Sequence, residues 1–139
     1  MTPHDAHVTS IAVRFNELDP YAHVNHAVYA TYFEVARTQA LADIGLSIDE
    51  LARQGFQFVV TELSLRFRKP AVSADVLSVE TWLSEIGRAS TRWSQRIRRS
   101  DELLVEAELK VGVANSLGRA TRPTPAMLAT LEALHRTQE

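Results

Sequence analysis

A carboxylate just ahead of a predicted helix is the most reactive feature of this sequence. Asp19 lies in the polar segment 17–26, which contains Pro20 and ends where a long helix is expected to begin. The first N–H groups of a helix have no partner within it and carry the positive end of its dipole, so they can stabilise an oxyanion. Asp19 could attack a polarised carbonyl or activate water beside it. The segment is thus suited to acyl chemistry, although an Asp before a helix is often only a cap or turn residue.

A strand before this segment and a helix after it must position the carboxylate. Alternating residues from Val8 onward predict a strand whose apolar face is Ile11, Val13 and Phe15. Residues 25–43 contain no Gly or Pro, which favours one long helix. Its apolar residues recur at helical spacing, at Val28, Tyr32, Val35 or Ala36, and Ala40.

The rest of the chain predicts two short helices and four more strands. Gly45 is placed to end the long helix, and a second helix opens at Ser47 and closes at Gly55. A final helix is expected from Pro125 to about His135. Between these helices, the apolar residues alternate with a period of two in residues 56–67, which predicts a long strand. Three more strands follow, and their predicted inward faces are Leu77, Val79, Thr81 and Leu83 for the first, Trp93, Gln95 and Ile97 for the second, and Val105, Ala107, Leu109, Val111 and Val113 for the third.

This order of elements predicts a single α+β domain over residues 1–139 with a mainly antiparallel sheet. A doubly wound nucleotide fold is disfavoured because no helices cross over between the later strands. Open sheet edges can be covered by pairing two chains about a two-fold axis, so a dimer is expected.

Composition excludes several classes of function. The chain has 139 residues and no Cys, which removes disulfides, thiolate nucleophiles and iron–sulfur clusters. Fifteen Lys and Arg against seventeen Asp and Glu give a net charge of −2, so nucleic acid is not an expected partner. No apolar run approaches the roughly 20 residues of a membrane span, and we expect a cytoplasmic protein that does not bind membranes.

Metal, serine-hydrolase and glycine-cradle chemistry also lack their sequence patterns. His23 and His26 stand three residues apart, as do His4 and His7, but neither pair has a third ligand at a recognisable spacing. We therefore predict no metal. No Gly-x-Ser-x-Gly elbow, Walker A run or Gly-x-Gly-x-x-Gly occurs.

Residues 19–29, DPYAHVNHAVY, and the continuation through 32–37 resemble the signature of hotdog-fold acyl-CoA thioesterases of the 4-hydroxybenzoyl-CoA thioesterase type. The resemblance extends over nearly the whole chain. Two positions depart from the family pattern, because Ala22 replaces the usual Gly and His26 replaces a second Asn. If the loop needs a positive φ there, Ala22 would cost about 1 kcal/mol or more. The signature residues present are Glu17, Asp19, His23, Val24, Asn25, Tyr29, Glu34 and Arg37.

The resemblance implies a hotdog fold, in which a curved antiparallel five-stranded sheet wraps a long central helix. It also implies dimers joined edge to edge, with active sites at the dimer interface, and both a homodimer and a homotetramer are compatible with the sequence. Asp19 becomes the catalytic carboxylate, as nucleophile or general base, and the N–H of His26 becomes the candidate oxyanion donor. His23 and Asn25 would shape the loop, and either is a candidate to orient Asp19 or water.

Substrate-binding roles follow from the same resemblance and from the chemistry of coenzyme A. Tyr29, Phe33, Val60 and Thr61 are candidates to line the acyl pocket, although aromatic residues at helical spacing are usually packing residues. The phosphates of coenzyme A need Arg, Lys or N–H donors, which we assign first to Arg88 and Ser90. Weaker candidates are Arg66, Arg68, Lys69 and Arg122, whereas Arg92, Arg96 and Arg98 are predicted to occupy an ordinary solvated strand face.

The function predicted from the sequence is hydrolysis of an acyl-CoA to the acid and free coenzyme A, without a metal or redox cofactor. An acyl-carrier-protein thioesterase is the nearest alternative, because the same loop could act on a protein-borne phosphopantetheine arm. A hydratase is less favoured, because the pattern of His followed by Pro-rich turns is missing. A non-catalytic acyl-CoA-binding module is the alternative outside enzymes.

Overall fold

A computed structural model describes residues 2–137 of the chain. The described part contains an antiparallel sheet in the order β1-β3-β4-β5-β2, with a short strand β6 beside β5. This arrangement confirms the α+β class and the hotdog fold, with one two-residue strand more than the five expected. The elements are β1 (His7–Ala12), α1 (His26–Asp43), α2 (Ile48–Gln54), β2 (Phe56–Phe67), β3 (Val76–Ile86), β4 (Ser90–Arg99), β5 (Glu102–Asn115), β6 (Ala120–Thr121) and α3 (Pro125–Leu131).

Helix α1 contributes one face to the hydrophobic core. The predicted inward residues of β3, β4 and β5 are buried in the same core, because alternation places them on one face of the sheet. Val35, one of two options for the helical stripe, is 47% exposed, and the neighbouring Ala36 is buried instead. The buried residues of α1 are Tyr29, Tyr32, Phe33, Ala36, Ala40 and Leu41.

Local capping signals fix the ends of the helices. Asn25 is the N-cap of α1, and its side chain accepts a hydrogen bond from the N–H of Ala27. Gly45, just beyond α1, has a φ of +90°, and Gly55 ends α2 with a φ of +85°. Both glycines adopt the left-handed conformation that helix termini favour, as the sequence predicts.

The first strand is shorter than the alternation predicts. β1 ends at Ala12, and residues Phe15–Glu17 form a 3-10 turn in which the N–H of Glu17 donates to the carbonyl of Arg14. The side chain of Glu17 in turn accepts from the N–H of Arg14 at 2.8 Å, which closes the turn. The prediction that Phe15 belongs to the buried face is therefore wrong, because this turn leaves its ring 86% exposed.

The outer face of β4 is also less solvated than predicted. Arg96 is only 8% exposed, and its guanidinium contacts Glu106 at 3.3 Å and Glu108 at 3.0 Å. It also lies 5.2 Å from the ring centroid of Trp82, within the range of a cation–π contact. Residues on the two neighbouring strands thus bury a side chain that alternation alone assigns to solvent.

Strand β2 forms one edge of the sheet and is the most exposed of the long strands. Its register against β5 shifts between Val60 and Glu62, so Thr61 lies in a β-bulge. Apolar side chains on this strand remain accessible, among them Leu63 at 46% and Phe67 at 50%. Within residues 2–137, no helix has the length and apolar character needed to cross a bilayer.

Candidate functional site

Backbone hydrogen bonds hold the Asp19 carboxylate in a tight loop. Its Oδ1 accepts from the N–H of Tyr21 at 2.8 Å and from the N–H of His23 at 3.2 Å. The main chain of Asp19 is also fixed, because its N–H donates to the carbonyl of His23 at 2.7 Å. Within the described residues the second oxygen, Oδ2, accepts no hydrogen bond. One oxygen is therefore used to orient the carboxylate, and the other is available for chemistry.

The loop closes through a residue in the left-handed conformation. Ala22 has a φ of +63°, and its N–H donates to the carbonyl of Asp19 at 3.0 Å. This confirms that the position needs a positive φ, which costs a non-glycine residue about 1–2 kcal/mol. An antiparallel bridge between Leu18 and Val24 flanks the turn and holds it in this conformation.

Contacts with the segment that follows β2 anchor the loop from the other side. The N–H of Val24 donates to the carbonyl of Ala71 at 2.9 Å, and His23 forms an antiparallel bridge with Val72. The N–H of Ala71 donates to the hydroxyl of Tyr29 at 2.9 Å. Tyr29 is thus buried as a structural link between α1 and this segment, with its ring edge against Phe67.

The N-terminus of α1 follows the loop directly and keeps one N–H free. The N–H of Ala27 donates to the side chain of Asn25 at 3.0 Å, and the N–H of Val28 donates to the carbonyl of Asn25 at 2.9 Å. The N–H of His26 has no acceptor among residues 2–137. The same N–H is the candidate oxyanion donor that the family resemblance implies.

Two buried tyrosines show the electrostatics around the loop. Burial raises the pKa of Tyr29, and the negative charge of Asp19 raises it further. The hydroxyl of Tyr32 donates to Oε1 of Glu17 at 2.8 Å. Burial first, and then this carboxylate, raise the pKa of Tyr32 well above its ordinary value. Tyr32 therefore stays neutral in the folded protein and supports the start of the loop.

Replacing Tyr32 by phenylalanine should make stability less sensitive to alkaline pH. Its folded-state pKa exceeds the ordinary value of 10.0, so its contribution is complete below pH 10 and declines at higher pH, where the unfolded chain loses the proton first. We expect Tyr32→Phe to cost about 1–2 kcal/mol at neutral pH, from loss of the bond to Glu17. Urea unfolding from neutral pH to above pH 10 should show a shallower alkaline decline in the variant. Tyr21→Phe is the control because Tyr21 is 81% exposed, and an equal effect there would contradict the assignment.

A cavity of about 540 Å³ lies between α1, α2, β2 and β5. Of the predicted acyl-pocket residues, Val60 lines it, whereas Tyr29, Phe33 and Thr61 do not. Phe33 is fully buried in the core, and the Thr61 hydroxyl donates to the carbonyl of Lys110. Neither Asp19 nor His26 lines the cavity. Its lining residues are Glu34, Arg37, Thr38, Leu41, Ile48, Leu51, Ala52, Gly55, Phe56, Gln57, Phe58, Val60, Trp93, Val111, Asn115 and Ser116.

The residues predicted to bind coenzyme A are spread over the surface. Arg88 is exposed in the turn between β3 and β4, where the N–H of Gly87 donates to the carbonyl of Ser90. Two of the weaker candidates are engaged elsewhere, since Arg68 pairs with Glu106 and Lys69 pairs with Glu102. A single chain does not bring Arg88 and Ser90 to the cavity, and their role stays a prediction.

The polar part of the cavity wall was not predicted from the sequence. Glu34, Arg37 and Thr38 line it from α1, and the sequence indicates Glu34 and Arg37 only as parts of the family signature. Their spacing was the available signal, because residues 34, 37, 38 and 41 lie on one face of a helix. Within residues 2–137, no group of three or more His, Asp or Glu side chains could hold a metal ion.

This chain is similar in sequence to two named thioesterases and in fold to a solved structure. The chain is 34% identical over 119 residues to an acyl-acyl carrier protein thioesterase, ATL3, of Arabidopsis thaliana, covering 84% of this chain and 61% of the plant protein. It therefore spans about three fifths of that relative's length. It is 34% identical over 100 residues to the long-chain acyl-CoA thioesterase FadM of Escherichia coli, covering 72% of this chain and 75% of FadM. The crystal structure of hypothetical protein TT1821 from Thermus thermophilus superposes with a TM-score of 0.88 at 34% identity, over 94% of this chain and all of that one.

A family profile gives the assignment of the chain. The profile described as the thioesterase superfamily matches residues 21–106, which include most of the loop, both helices that line the cavity and strands β2 to β4. The match begins two residues after Asp19, so the profile does not include this carboxylate, and the geometry of the loop is what supports a role for it. From the profile, the two relatives and the shared fold, we conclude that the chain belongs to the thioesterase superfamily.

Proposed function

We propose that this protein hydrolyses acyl-CoA thioesters to the free acid and coenzyme A. The observation that carries the proposal is an oriented carboxylate in the loop that leads directly into α1, together with a first helical N–H that has no acceptor among residues 2–137. Asp19 presents Oδ2 from a loop whose Oδ1 is held by two N–H groups, and the N–H of His26 is free at the start of α1. A thioester carbonyl placed between them would meet an electrophilic donor and a base or nucleophile.

The reaction can follow either of two routes from this arrangement. As a nucleophile, Asp19 forms a bond from Oδ2 to the acyl carbon, the C–S bond breaks, and the thiolate leaves and takes up a proton. Water then hydrolyses the mixed anhydride. As a general base, Asp19 removes a proton from water while the hydroxide adds to the acyl carbon, and the thiolate receives that proton as the C–S bond breaks. Both routes build negative charge on the carbonyl oxygen, where the N–H of His26 would stabilise it.

Coenzyme A is the carrier that we favour, and acyl carrier protein is the alternative. The relative FadM is named an acyl-CoA thioesterase and supports coenzyme A, whereas ATL3 is named an acyl-acyl carrier protein thioesterase and supports the carrier protein. Both are 34% identical to this chain, but the match covers 75% of FadM and only 61% of ATL3. The test is to supply the same acyl group on coenzyme A and on acyl carrier protein and to follow thiol release. Hydrolysis of neither would contradict the proposal, and a strong preference for the carrier protein would favour the alternative.

We further propose that two chains pair through the edge strand β2. The strand has an open edge and carries exposed apolar side chains, including Val59 at 40%, Val60 at 42% and Leu63 at 46%. Pairing of two such edges would cover both. Sedimentation equilibrium should give a dimer or tetramer, and a monomer at assay concentrations would contradict this.

Three smaller expectations accompany the proposal. Arg88 and Ser90 are proposed to contact the phosphates of coenzyme A, for which the exposed position of Arg88 gives access. The reaction is proposed to need no metal or redox cofactor, because both routes use only Asp19, a backbone N–H and water. The cytoplasmic location stays a prediction from the sequence.

A further inference from the structure

The guanidinium of Arg37 is partly buried and has a single protein acceptor among residues 2–137. Its Nη1 donates to Oε1 of Gln95 at 3.0 Å. Within residues 2–137 the side chain has no other hydrogen-bond acceptor and no salt bridge. A guanidinium has five N–H donors, so most of them lack a protein acceptor. Because Arg37 lines the cavity, these donors are available to whatever fills it.

The hydrogen bonds of Gln95 fix the position of Arg37 from the side of the sheet. Gln95 is fully buried, and its Nε2 donates to the carbonyl of Phe33 at 3.0 Å and to the hydroxyl of Thr81 at 2.9 Å. With both donors used, its Oε1 is left to accept from Arg37. The amide thus holds one side of the guanidinium against the sheet and cannot satisfy the rest of it.

The surroundings of Arg37 favour a ligand oxygen. Burial lowers the pKa of Arg37, and the nearby negative charge of Glu34 opposes this effect without forming an ion pair. Among residues 2–137, no nitrogen of Arg37 is both buried and without a partner, so water can reach the donors that Gln95 does not use. A plain alkyl chain that displaced this water would leave these donors unpaired, whereas an oxygen from a ligand would supply charge-assisted hydrogen bonds. Much of the remaining wall is apolar, from Leu41, Leu51, Phe56, Phe58, Trp93 and Val111.

Helix α1 carries both the candidate oxyanion donor and part of the cavity wall. Glu34 lies eight residues beyond His26 and Arg37 lies eleven beyond it, spacings that place all three on one face of α1. Arg37 is thus about three turns, or roughly 16 Å, along the axis from His26. An extended chain of roughly 14 bonds covers that length, since three backbone bonds span about 3.4 Å.

We propose that the cavity receives the acyl group of the thioester and that Arg37 selects acyl groups carrying a hydrogen-bond-accepting oxygen far from the thioester carbon. This inference rests on the proposed function and names its substrate class. A hydroxyl or a carboxylate at the far end of the chain shares the required chemistry. An unsubstituted alkyl chain has no oxygen and could not accept a hydrogen bond from the guanidinium.

The kinetic test compares acyl-CoAs of equal length that end in a methyl, a hydroxyl or a carboxylate group, over short, medium and long chains. In the wild-type protein, we expect the oxygenated acyl groups to be preferred at the longer lengths. In Arg37→Met, the ratio of kcat/KM for oxygenated over plain chains should fall by about 10- to 100-fold, the range for a hydrogen bond to a charged group. Arg37→Lys keeps the charge but loses the planar fork, and should fall between the two. Arg53→Met is the control, because Arg53 is exposed, pairs with Glu50 and does not line the cavity.

A binding experiment separates this inference from the proposed function. Calorimetry with the free acids needs no turnover, and the wild-type protein should bind the oxygenated acids more tightly than plain acids, whereas Arg37→Met should not. If no thioester is hydrolysed but this selectivity is found, the proposed function fails and the role of Arg37 stands. If thioesters are hydrolysed, yet the ratio and the binding are unchanged in Arg37→Met, the role of Arg37 is overturned. Should Arg37→Met not fold, Arg37→Lys and the wild-type binding data decide in the same way.

Discussion

Replacing Asp19 by asparagine should lower kcat for acyl-CoA hydrolysis by about 10²- to 10⁴-fold, the usual contribution of a positioned general base. Asparagine keeps an oxygen that can accept from the N–H groups of Tyr21 and His23, so the loop should keep its shape. What is lost is the negative charge on Oδ2, which both routes require. The measurement is the steady-state release of free thiol, with thermal unfolding to verify that the variant folds.

Two companion experiments sharpen this prediction. Asp49→Asn is the matched control, because Asp49 is exposed in the first turn of α2 and also stands near a helix N-terminus. It should retain wild-type turnover. Rapid mixing of the wild-type protein separates the two routes, since a burst of thiol in the first turnover indicates a covalent intermediate on Asp19. Full activity in Asp19→Asn would remove the carboxylate from the mechanism.

Replacing His26 by proline should lower kcat by about 10²- to 10³-fold, as is typical when one oxyanion donor is removed. Proline has no N–H, so the substitution deletes the first N–H of α1, which has no acceptor among residues 2–137. The helix should tolerate the change, because proline is common at the first helical position. The preceding residue also fits, since Asn25 has a φ of −57° and a ψ of 134°, in the extended region that proline favours before it.

The alanine variant at the same position distinguishes the backbone from the side chain. His26→Ala keeps the N–H and removes the imidazole, so its kcat should stay within a few-fold of the wild-type value. Circular dichroism and thermal unfolding should show that α1 is intact in both variants. Equal losses in the alanine and proline variants would assign the effect to the imidazole, and no loss in the proline variant would exclude an oxyanion role for this N–H.

The elements of the fold were predictable wherever burial of one face imposes a period. Leu77 and Val79 are buried where alternation predicts, because both point to the single core. The same reasoning was wrong at Phe15, where a hydrogen-bonded turn at Glu17 ended the strand. It was also wrong at Arg96, because alternation identifies a face but not which neighbouring side chains cover it.

Parts of the candidate site that depend on neighbouring residues could be predicted from the sequence, and parts that depend on residues distant in sequence could not. The loop at Asp19, the cap at Asn25 and the positive φ at Ala22 depend on residues close in sequence, so a signature could indicate them. The contact between Arg37 and Gln95 joins positions 58 residues apart. It arises only when α1 packs on the sheet, and no local pattern encodes it.

The anchoring of the loop at both ends constrains how the chain can vary. The bridge between Leu18 and Val24 fixes the number of residues in the turn, and the bond from Val24 to Ala71 fixes its distance from the end of β2. An insertion or deletion between these anchors would shift Asp19 relative to His26 rather than bulge harmlessly into solvent. Homologous chains that keep the chemistry should therefore accept substitutions in this turn, as at Ala22, far more readily than changes in its length.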